Sequence, residues 1–91
     1  MDGIAAFFEP LAVVDSGEGR LTLGREAIWA FFAEITATGR KFESGKQSPA
    51  IINGDLALTS TRLPDGSVTA EVARRQADGT WLWVIDKFSI A

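Results

Sequence analysis

The sequence predicts an α+β fold: a curved antiparallel sheet of about four long strands plus a short one, with two helices on its concave face, forming a cone. Three observations predict it. Apolar residues recur at helical spacing in the N-terminal part, and three turn sequences divide the rest into strand-length segments. With 91 residues, of which 46% are hydrophobic, the chain has the size and composition of one domain spanning 1–91.

The first predicted helix is short. Apolar residues at helical spacing indicate a helix over Asp2–Glu9, which Pro10 ends. Leu11–Asp15 is apolar and β-branched, which favours a strand, and Ser16–Gly19 has the composition of a turn. One short strand is therefore expected between the two helices.

The second predicted helix is the clearest element. It spans Gly24–Thr38 and stops at Gly39, a residue type that commonly ends helices. Its apolar residues fall at i, i+3, i+4 and i+7: Ile28, Phe31, Phe32 and Ile35. That stripe is expected to pack on the sheet.

The remaining chain has the pattern of strands. Turn sequences with adjacent Asp and Gly occur around Gly54, Gly66 and Gly79. Consecutive strands joined by such turns pair antiparallel, so a meander is expected. The predicted strands are Lys41–Asn53, Asp55–Leu63, Ser67–Gln76 and Thr80–Ile90.

Composition excludes several functions. The net charge of −3 argues against nucleic-acid binding, which needs a basic surface. The chain has no Cys and no His, so we expect no disulfide, no metal site and no cofactor. No apolar run is long enough to span a membrane, and no basic segment precedes an apolar one at the start, so a cytoplasmic location is expected.

Several motifs, taken in order, resemble a known family. Gly24–Ile28 opens the second helix as G-R-E-A-I, Gly54–Ala57 reads G-D-L-A, Arg75–Trp81 holds R-x-x-D-G-x-W, and Val84–Asp86 reads V-I-D. Together they resemble the SnoaL-like and ketosteroid-isomerase-like proteins of the nuclear-transport-factor-2-like superfamily. This resemblance implies the cone-shaped fold, which hosts enzymes, binding proteins and dimerisation modules, so the fold alone does not determine function.

Two features depart from the family. Relatives usually carry a long helix of about six turns before the one near Asp2, and in ketosteroid isomerase it holds a tyrosine that donates to the substrate carbonyl. This sequence has no such helix and no Tyr. The frequent P-D-A-V of relatives has Leu11 in place of its Asp.

Three carboxylates are the candidate catalytic residues: Asp15, Glu71 and Asp86. The resemblance places Asp15 where ketosteroid isomerase has its general base, and Glu71 where it has a protonated acid. A base and a neutral acid in an apolar site could move a proton beside a carbonyl. Arg75 is expected nearer the mouth of the cone.

Structural roles compete with this hypothesis. Asp15 begins a turn, where Asp is common. Glu71 and Arg75 could form ion pairs with neighbours such as Arg62 or Arg74. Asp86 could pair with Arg40 or Lys41.

Apolar residues near these carboxylates are the candidate ligand-binding wall. They are Phe8, Val13, Trp29, Phe32, Ala73, Val84 and Phe88. By strict alternation along the last strand, Asp86 shares a face with Val84 and Phe88, whereas Trp81, Trp83 and Ile85 lie on the opposite face. Those three are either a dimer interface or a surface covered by a helix.

Three functions therefore remain open. The chain is a ligand-binding homodimer for a small apolar molecule, a carboxylate-based isomerase, cyclase or hydratase acting on a small carbonyl compound, or a dimerisation or interaction module.

Overall fold

The computed structural model describes residues 6–39 and 45–90, which form one α-helix and eight strands. In chain order they are β1 (Phe8–Asp15), β2 (Leu21–Leu23), α1 (Arg25–Ala37), β3 (Lys46–Gln47), β4 (Ile51–Asn53), β5 (Leu56–Thr59), β6 (Thr61–Arg62), β7 (Ala70–Arg75) and β8 (Trp81–Lys87). The predicted α+β class is confirmed.

The main sheet has six strands in the order β2-β1-β8-β7-β5-β4 and is not closed. Strands β4, β5, β7 and β8 pair antiparallel in succession, which confirms the predicted meander. The prediction of an antiparallel sheet is wrong at β1, which runs parallel to β8. Strands β3 and β6 form a separate two-stranded sheet.

The predicted first helix is wrong over its second half. Ala6 and Phe7 lie in a 3₁₀ turn, whereas Phe8, Glu9 and Pro10 belong to β1. Phe8 pairs with Trp83 of β8, so sheet pairing and burial override the local helical spacing. Residues 2–5 lie outside the described residues, and two helices on the concave face are therefore not confirmed.

Helix α1 forms as predicted. Gly24 precedes it with a φ of +86°, and Gly39 follows it with a φ of +81°, conformations that glycine adopts without strain. Ile28 and Phe32 are buried on its inward side, against β1 and β2. No helix in the described residues is long and apolar enough to cross a membrane.

The core lies between α1 and the sheet. Its buried members are Phe8, Ala12, Val14, Ile28 and Phe32, with Phe31, Trp83 and Phe88 packed against them. The rings of Phe8 and Phe32 have centroids 6.0 Å apart, and Phe31 and Phe32 meet edge to face at 5.3 Å. We call the sheet face that meets α1 the inner face and the opposite one the outer face.

A register shift in β8 decides which side chains point inward. Val72 pairs with Ile85, but the next residue, Ala73, pairs with Trp83, so Val84 is an extra residue in β8. Such a bulge reverses the alternation of faces beyond it. The prediction that Trp83 and Asp86 lie on opposite faces is wrong: both share the inner face, because each is paired with an inward residue of β1 and β7.

Candidate functional site

Two of the three predicted carboxylates meet on the inner face. Glu71 of β7 and Asp86 of β8 are direct cross-strand partners, and Val14 of β1, which is fully buried, pairs with Asp86 from the other side. Directly opposed residues of neighbouring strands project to the same face. We call Glu71 and Asp86 the acid pair.

The surroundings of Asp86 favour its protonated form. Burial first and the negative charge of Glu71 second raise the pKa of Asp86 to about 7. No hydrogen bond or ion pair with a cation is found for Asp86 among the described residues. The resemblance placed a protonated acid at Glu71; its cross-strand partner Asp86 has the raised pKa.

Thr59 completes the polar part of this face. It pairs with Glu71 from β5, and its Oγ1 donates a hydrogen bond to Glu71 Oε1 over 2.7 Å. The Thr59 side chain is buried, with the residue 8% exposed. Thr59, Glu71 and Asp86 thus form a polar line across three neighbouring strands.

An apolar row runs beside the polar line. It consists of Phe8, Trp83, Ala73, Ala57 and Ile52, each paired with the next across five strands. The two alanines lie in the middle of the row, between the larger Trp83 and Ile52. Their small side chains lower the sheet surface at that point, next to the acid pair.

Asp15 does not join the acid pair. Its register partner is Lys87, and the two side chains meet on the outer face, with Lys87 Nζ 2.7 Å from Asp15 Oδ2. The backbone N–H of Gly17 donates to Asp15 Oδ1 over 2.9 Å. The hydrogen bond from Lys87 lowers the pKa of Asp15 most, and the hydrogen bond from Gly17 lowers it further.

The predicted ligand-binding residues lie in five different positions. Phe8, Phe32 and Phe88 belong to the aromatic core or pack on it, and Ala73 lies in the apolar row. Val84 is the extra residue of the bulge, and Val13 lies on the outer face beside Ile85. Trp29 is 46% exposed on α1.

The three predicted interface residues do not form one surface. Trp83 packs against the core, and Trp81 lies under the Arg75 guanidinium, whose carbon is 6.0 Å from the ring centroid. Ile85 lies on the outer face in a row with one apolar residue from each strand of the sheet. We call Leu23, Val13, Ile85, Val72, Leu58 and Ile51 the outer row.

The predicted structural ion pairs have different partners. Arg75 forms a bidentate contact with Asp55 Oδ1, at 2.7 and 3.0 Å. Arg74 pairs with Glu9 at 3.0 Å. Residues 40 and 41, the partners considered for Asp86, lie outside the described residues.

A groove of about 610 Å³ lies away from the acid pair. It is lined by Ala6, Pro10, Leu23, Gly24, Arg25, Glu26 and Ala27. The Arg25 guanidinium is already engaged there, because its Nε and Nη2 donate to the Phe8 carbonyl oxygen. The groove contains none of the predicted carboxylates.

The sequence contained a signal for the residues that were missed. In β5, Leu56 and Leu58 alternate with Ala57 and Thr59, a period of two that assigns the two sets to opposite faces. The leucines are 45% exposed, whereas Ala57 and Thr59 are buried. Small and polar residues on this inward face differ from the large apolar residues that fill the core.

The acid pair can hold and release one proton near neutral pH. When it is protonated, Asp86 can donate a hydrogen bond to an acceptor oxygen while Glu71 accepts from Thr59. The general base that the resemblance assigned to Asp15 is absent from this face, because Asp15 is paired with Lys87 on the other side. The arrangement is therefore better suited to polar recognition than to two-carboxylate proton transfer involving Asp15.

Three solved structures are similar to the chain over almost all of its length. An NTF2-like protein with a cystatin-like fold from Novosphingobium aromaticivorans is 18% identical, with a TM-score of 0.60, over 91% of this chain and 64% of that one. A candidate calcium/calmodulin dependent protein kinase II association domain from Xanthomonas campestris is 16% identical, with a TM-score of 0.59, over 91% and 68%. A protein from Catenulispora acidiphila in complex with S-DNPA is 25% identical, with a TM-score of 0.60, over 90% and 72%.

The chain thus spans about two thirds of the length of these structures. No family model matches the sequence, and no curated protein matches it. The similarity shows a shared fold among proteins whose descriptions include both a ligand complex and an association domain.

Proposed function

The chain adopts the nuclear-transport-factor-2-like fold, and on this basis we propose that it binds a small, largely apolar molecule carrying an acceptor oxygen on the inner face of its sheet. The observation that carries the proposal is the acid pair beside the apolar row. Ala57 and Ala73 provide a low apolar surface, and Asp86 provides a hydrogen-bond donor next to it. A ligand of this class would bury its apolar part and accept from the protonated acid.

Catalysis is the weaker alternative. An isomerase, cyclase or hydratase would have to use Glu71 as its base, with Asp86 as its acid. Because the Thr59 hydroxyl already donates to Glu71 Oε1, one of the two oxygens of that carboxylate is engaged before a substrate binds.

Three probes of one shape test the binding proposal. Indane, 1-indanone and 2-aminoindane share a bicyclic skeleton but carry no polar group, a carbonyl and an ammonium respectively. Titration by ¹H–¹⁵N NMR at pH 6 should show that 1-indanone binds most tightly and shifts the signals of Ala57, Ala73 and the Trp83 indole. Equal binding of indane would contradict the role of the acid pair, and preferential binding of 2-aminoindane would mean that the pair serves a cation.

The pH dependence sharpens this test. Above about pH 7, wild-type affinity for 1-indanone should fall by about tenfold per pH unit as Asp86 loses its proton. Asp86→Asn keeps an N–H donor without a titrating group, so its affinity should not depend on pH. Asp86→Leu removes the donor and should abolish the preference for 1-indanone over indane.

We further propose that the outer row pairs with the outer row of a second copy. It places one apolar side chain on each of six neighbouring strands, and Leu23, Leu58 and Ile51 in it are 64%, 45% and 68% exposed. Ion pairs border it on both sides, Asp15 with Lys87 and Arg74 with Glu9. A continuous apolar strip with a charge-balanced polar border is typical of a self-complementary interface.

Sedimentation equilibrium tests this association. At micromolar concentration the wild type should have about twice the monomer mass of 9.8 kDa. Val72→Lys places a charge at the centre of the outer row and should give the monomer, whereas Ala33→Lys, on the exposed side of α1, should remain dimeric. A monomeric wild type would contradict the proposal.

A further inference from the structure

Arg75 lies on the inner face, on the opposite side of the apolar row from the acid pair. Along β7, Glu71, Ala73 and Arg75 alternate onto that face, with about 7 Å between successive members. Arg75 pairs directly with Trp81 of β8, so these two side chains project to the same face. The low surface at Ala73 and Ala57 therefore has carboxylates on one side and a guanidinium on the other.

The Arg75 guanidinium is held from two directions. Its Nε and Nη2 donate to Asp55 Oδ1 over 3.0 and 2.7 Å, and its carbon lies 6.0 Å from the centroid of the Trp81 ring. The backbone N–H of Arg75 also donates to the Asp55 carbonyl oxygen over 2.7 Å, which fixes the two residues side by side. A guanidinium held in this way loses little further side-chain entropy when it binds a ligand.

Part of this guanidinium remains available to a ligand. An arginine side chain has five N–H donors, and Asp55 accepts from two of them, which leaves three. No acceptor for Nη1 is found among residues 6–39 and 45–90. The remaining donors form the planar fork between Nη1 and Nη2, whose geometry matches the two oxygens of a carboxylate. The Arg75 side chain is 51% exposed, so a ligand can reach this fork.

The charges around Arg75 favour a carboxylate over other anions. Asp55 already balances the single positive charge of Arg75 in part, so a doubly charged phosphate would meet more repulsion than a singly charged carboxylate. The acid pair cannot attract an anion. A ligand with one carboxylate would therefore be oriented with that end at Arg75 and its apolar part toward Ala73.

We propose that Arg75 is a specificity-determining residue of the inner face: its free fork binds the carboxylate of an apolar acid whose body lies on Ala57 and Ala73. The inference rests on the proposed function, because it needs a ligand on the apolar row. It narrows the ligand class to apolar carboxylic acids.

Two probes of one skeleton test this inference by ¹H–¹⁵N NMR titration at pH 6. Indane-5-carboxylate carries the anion, and 5-methylindane carries a methyl group in its place. The wild type should bind the carboxylate about tenfold more tightly, because it adds charge-assisted hydrogen bonds. It should shift the Arg75 Nε–H signal together with the amide signals of Ala57 and Ala73.

Two arginine variants give the matched comparison. Arg75→Met keeps the length of the side chain without its donors and should remove the preference for the carboxylate. Arg74 is 50% exposed and also ion-paired, but with Glu9 on the other side of the sheet, so Arg74→Met should keep the wild-type preference. A full preference in Arg75→Met would overturn the inference. An equal loss in both variants would overturn it too, because net charge would then attract the probe.

The wild type decides the matter if Arg75→Met does not fold. An Arg75 Nε–H signal that indane-5-carboxylate leaves unmoved would overturn the inference. Equal affinities for the two probes, with shifts at Ala57 and Ala73, would refute the role of Arg75 and leave the proposed function standing. No shift at either alanine with these probes or with 1-indanone would refute the proposed function, and the inference with it.

Discussion

Lys87 Nζ and Asp15 Oδ2 are 2.7 Å apart on the outer face of the sheet, one residue beyond Asp86 and Val14, which face inward. Neighbouring carboxylates of the same sheet therefore have opposite environments. Asp15 is stabilised as an anion by a lysine and a backbone N–H, whereas Asp86 is buried beside another carboxylate. The two sites should respond to pH in opposite directions.

The Asp86 site predicts that stability decreases as pH rises from about 4 to 7. In this window folded Asp86 holds a proton that the unfolded chain has released, so a rise in pH favours unfolding. The loss should be at most about 1.4 kcal/mol per pH unit, reduced by partial solvent access. Urea unfolding at pH 5, 6 and 7.5 measures it.

Two Asp→Asn variants provide the comparison. Asp86→Asn should remove the dependence and be more stable than wild type at pH 7.5. Asp15→Asn should keep the decrease of stability between pH 4 and 7. It should also be less stable than wild type, because the lowered pKa of Asp15 means that its charged form stabilises the fold above the acid range. The same pH slope in wild type and Asp86→Asn would refute the assignment.

Phe32→Ala should be the most damaging change in α1. Phe32 is 7% exposed and its ring contacts Phe8 and Phe31, so truncation should cost about 3–5 kcal/mol of unfolding free energy. Phe31 is only partly buried, and Phe31→Ala should cost less. Chemical denaturation measures both, with Leu11→Ala, a residue 88% exposed, as the control expected to change little.

Two tryptophans that lie two residues apart on one face of β8 have different surroundings. Trp83 packs against the core, so Trp83→Ala should cost about 3 kcal/mol or more. Trp81 is more exposed and contacts Arg75, so Trp81→Ala should cost much less. Equal losses in thermal or urea unfolding would mean that Trp83 is not packed against α1.

Arg25 should stabilise the fold through a backbone atom. Its guanidinium donates two hydrogen bonds to the Phe8 carbonyl oxygen, in the stretch of β1 where the pairing with β8 shifts register. Arg25→Gln should cost about 1–3 kcal/mol, because a part-buried carbonyl loses its donors. Arg20→Gln, at an exposed pair with Glu18, is the matched control and should be nearly neutral.

Local patterns in the sequence were sufficient to predict α1, the turns and the antiparallel meander. The stripe around Phe32 and the glycines that follow helices and strands act over a few residues, which is why they can be recognised without a structure. Phe8 was misassigned because its environment is set by Trp83, 75 positions away in the chain. The apolar residues near Phe8 do have helical spacing, but this local preference stabilises less than the burial of Phe8 in the sheet.

The candidate site was predictable only in part. Glu71 and Asp86 were identified from the resemblance, but their pairing depends on the β7–β8 register, which no local pattern specifies. The resemblance places Asp15 with them, but its pairing with Lys87 on the outer face follows from the register of β1 and β8, which no local pattern specifies. The alternation in β5 assigns Thr59 to the inner face, but its hydrogen bond to Glu71 depends on the pairing of β5 with β7.

The extra residue Val84 divides β8 into two segments, and side chains alternate between the two sheet faces separately in each segment. Removing Val84 would leave Trp83 inward, Ile85 outward and Asp86 inward, because regular alternation would then give the faces that the bulge now gives. A strand of unchanged length without the bulge would instead bring Ile85 inward and send Asp86 outward. Gapless sequence comparison across this point would therefore equate inward residues of one protein with outward residues of another. A comparison of binding surfaces in this fold should align the two halves of β8 independently.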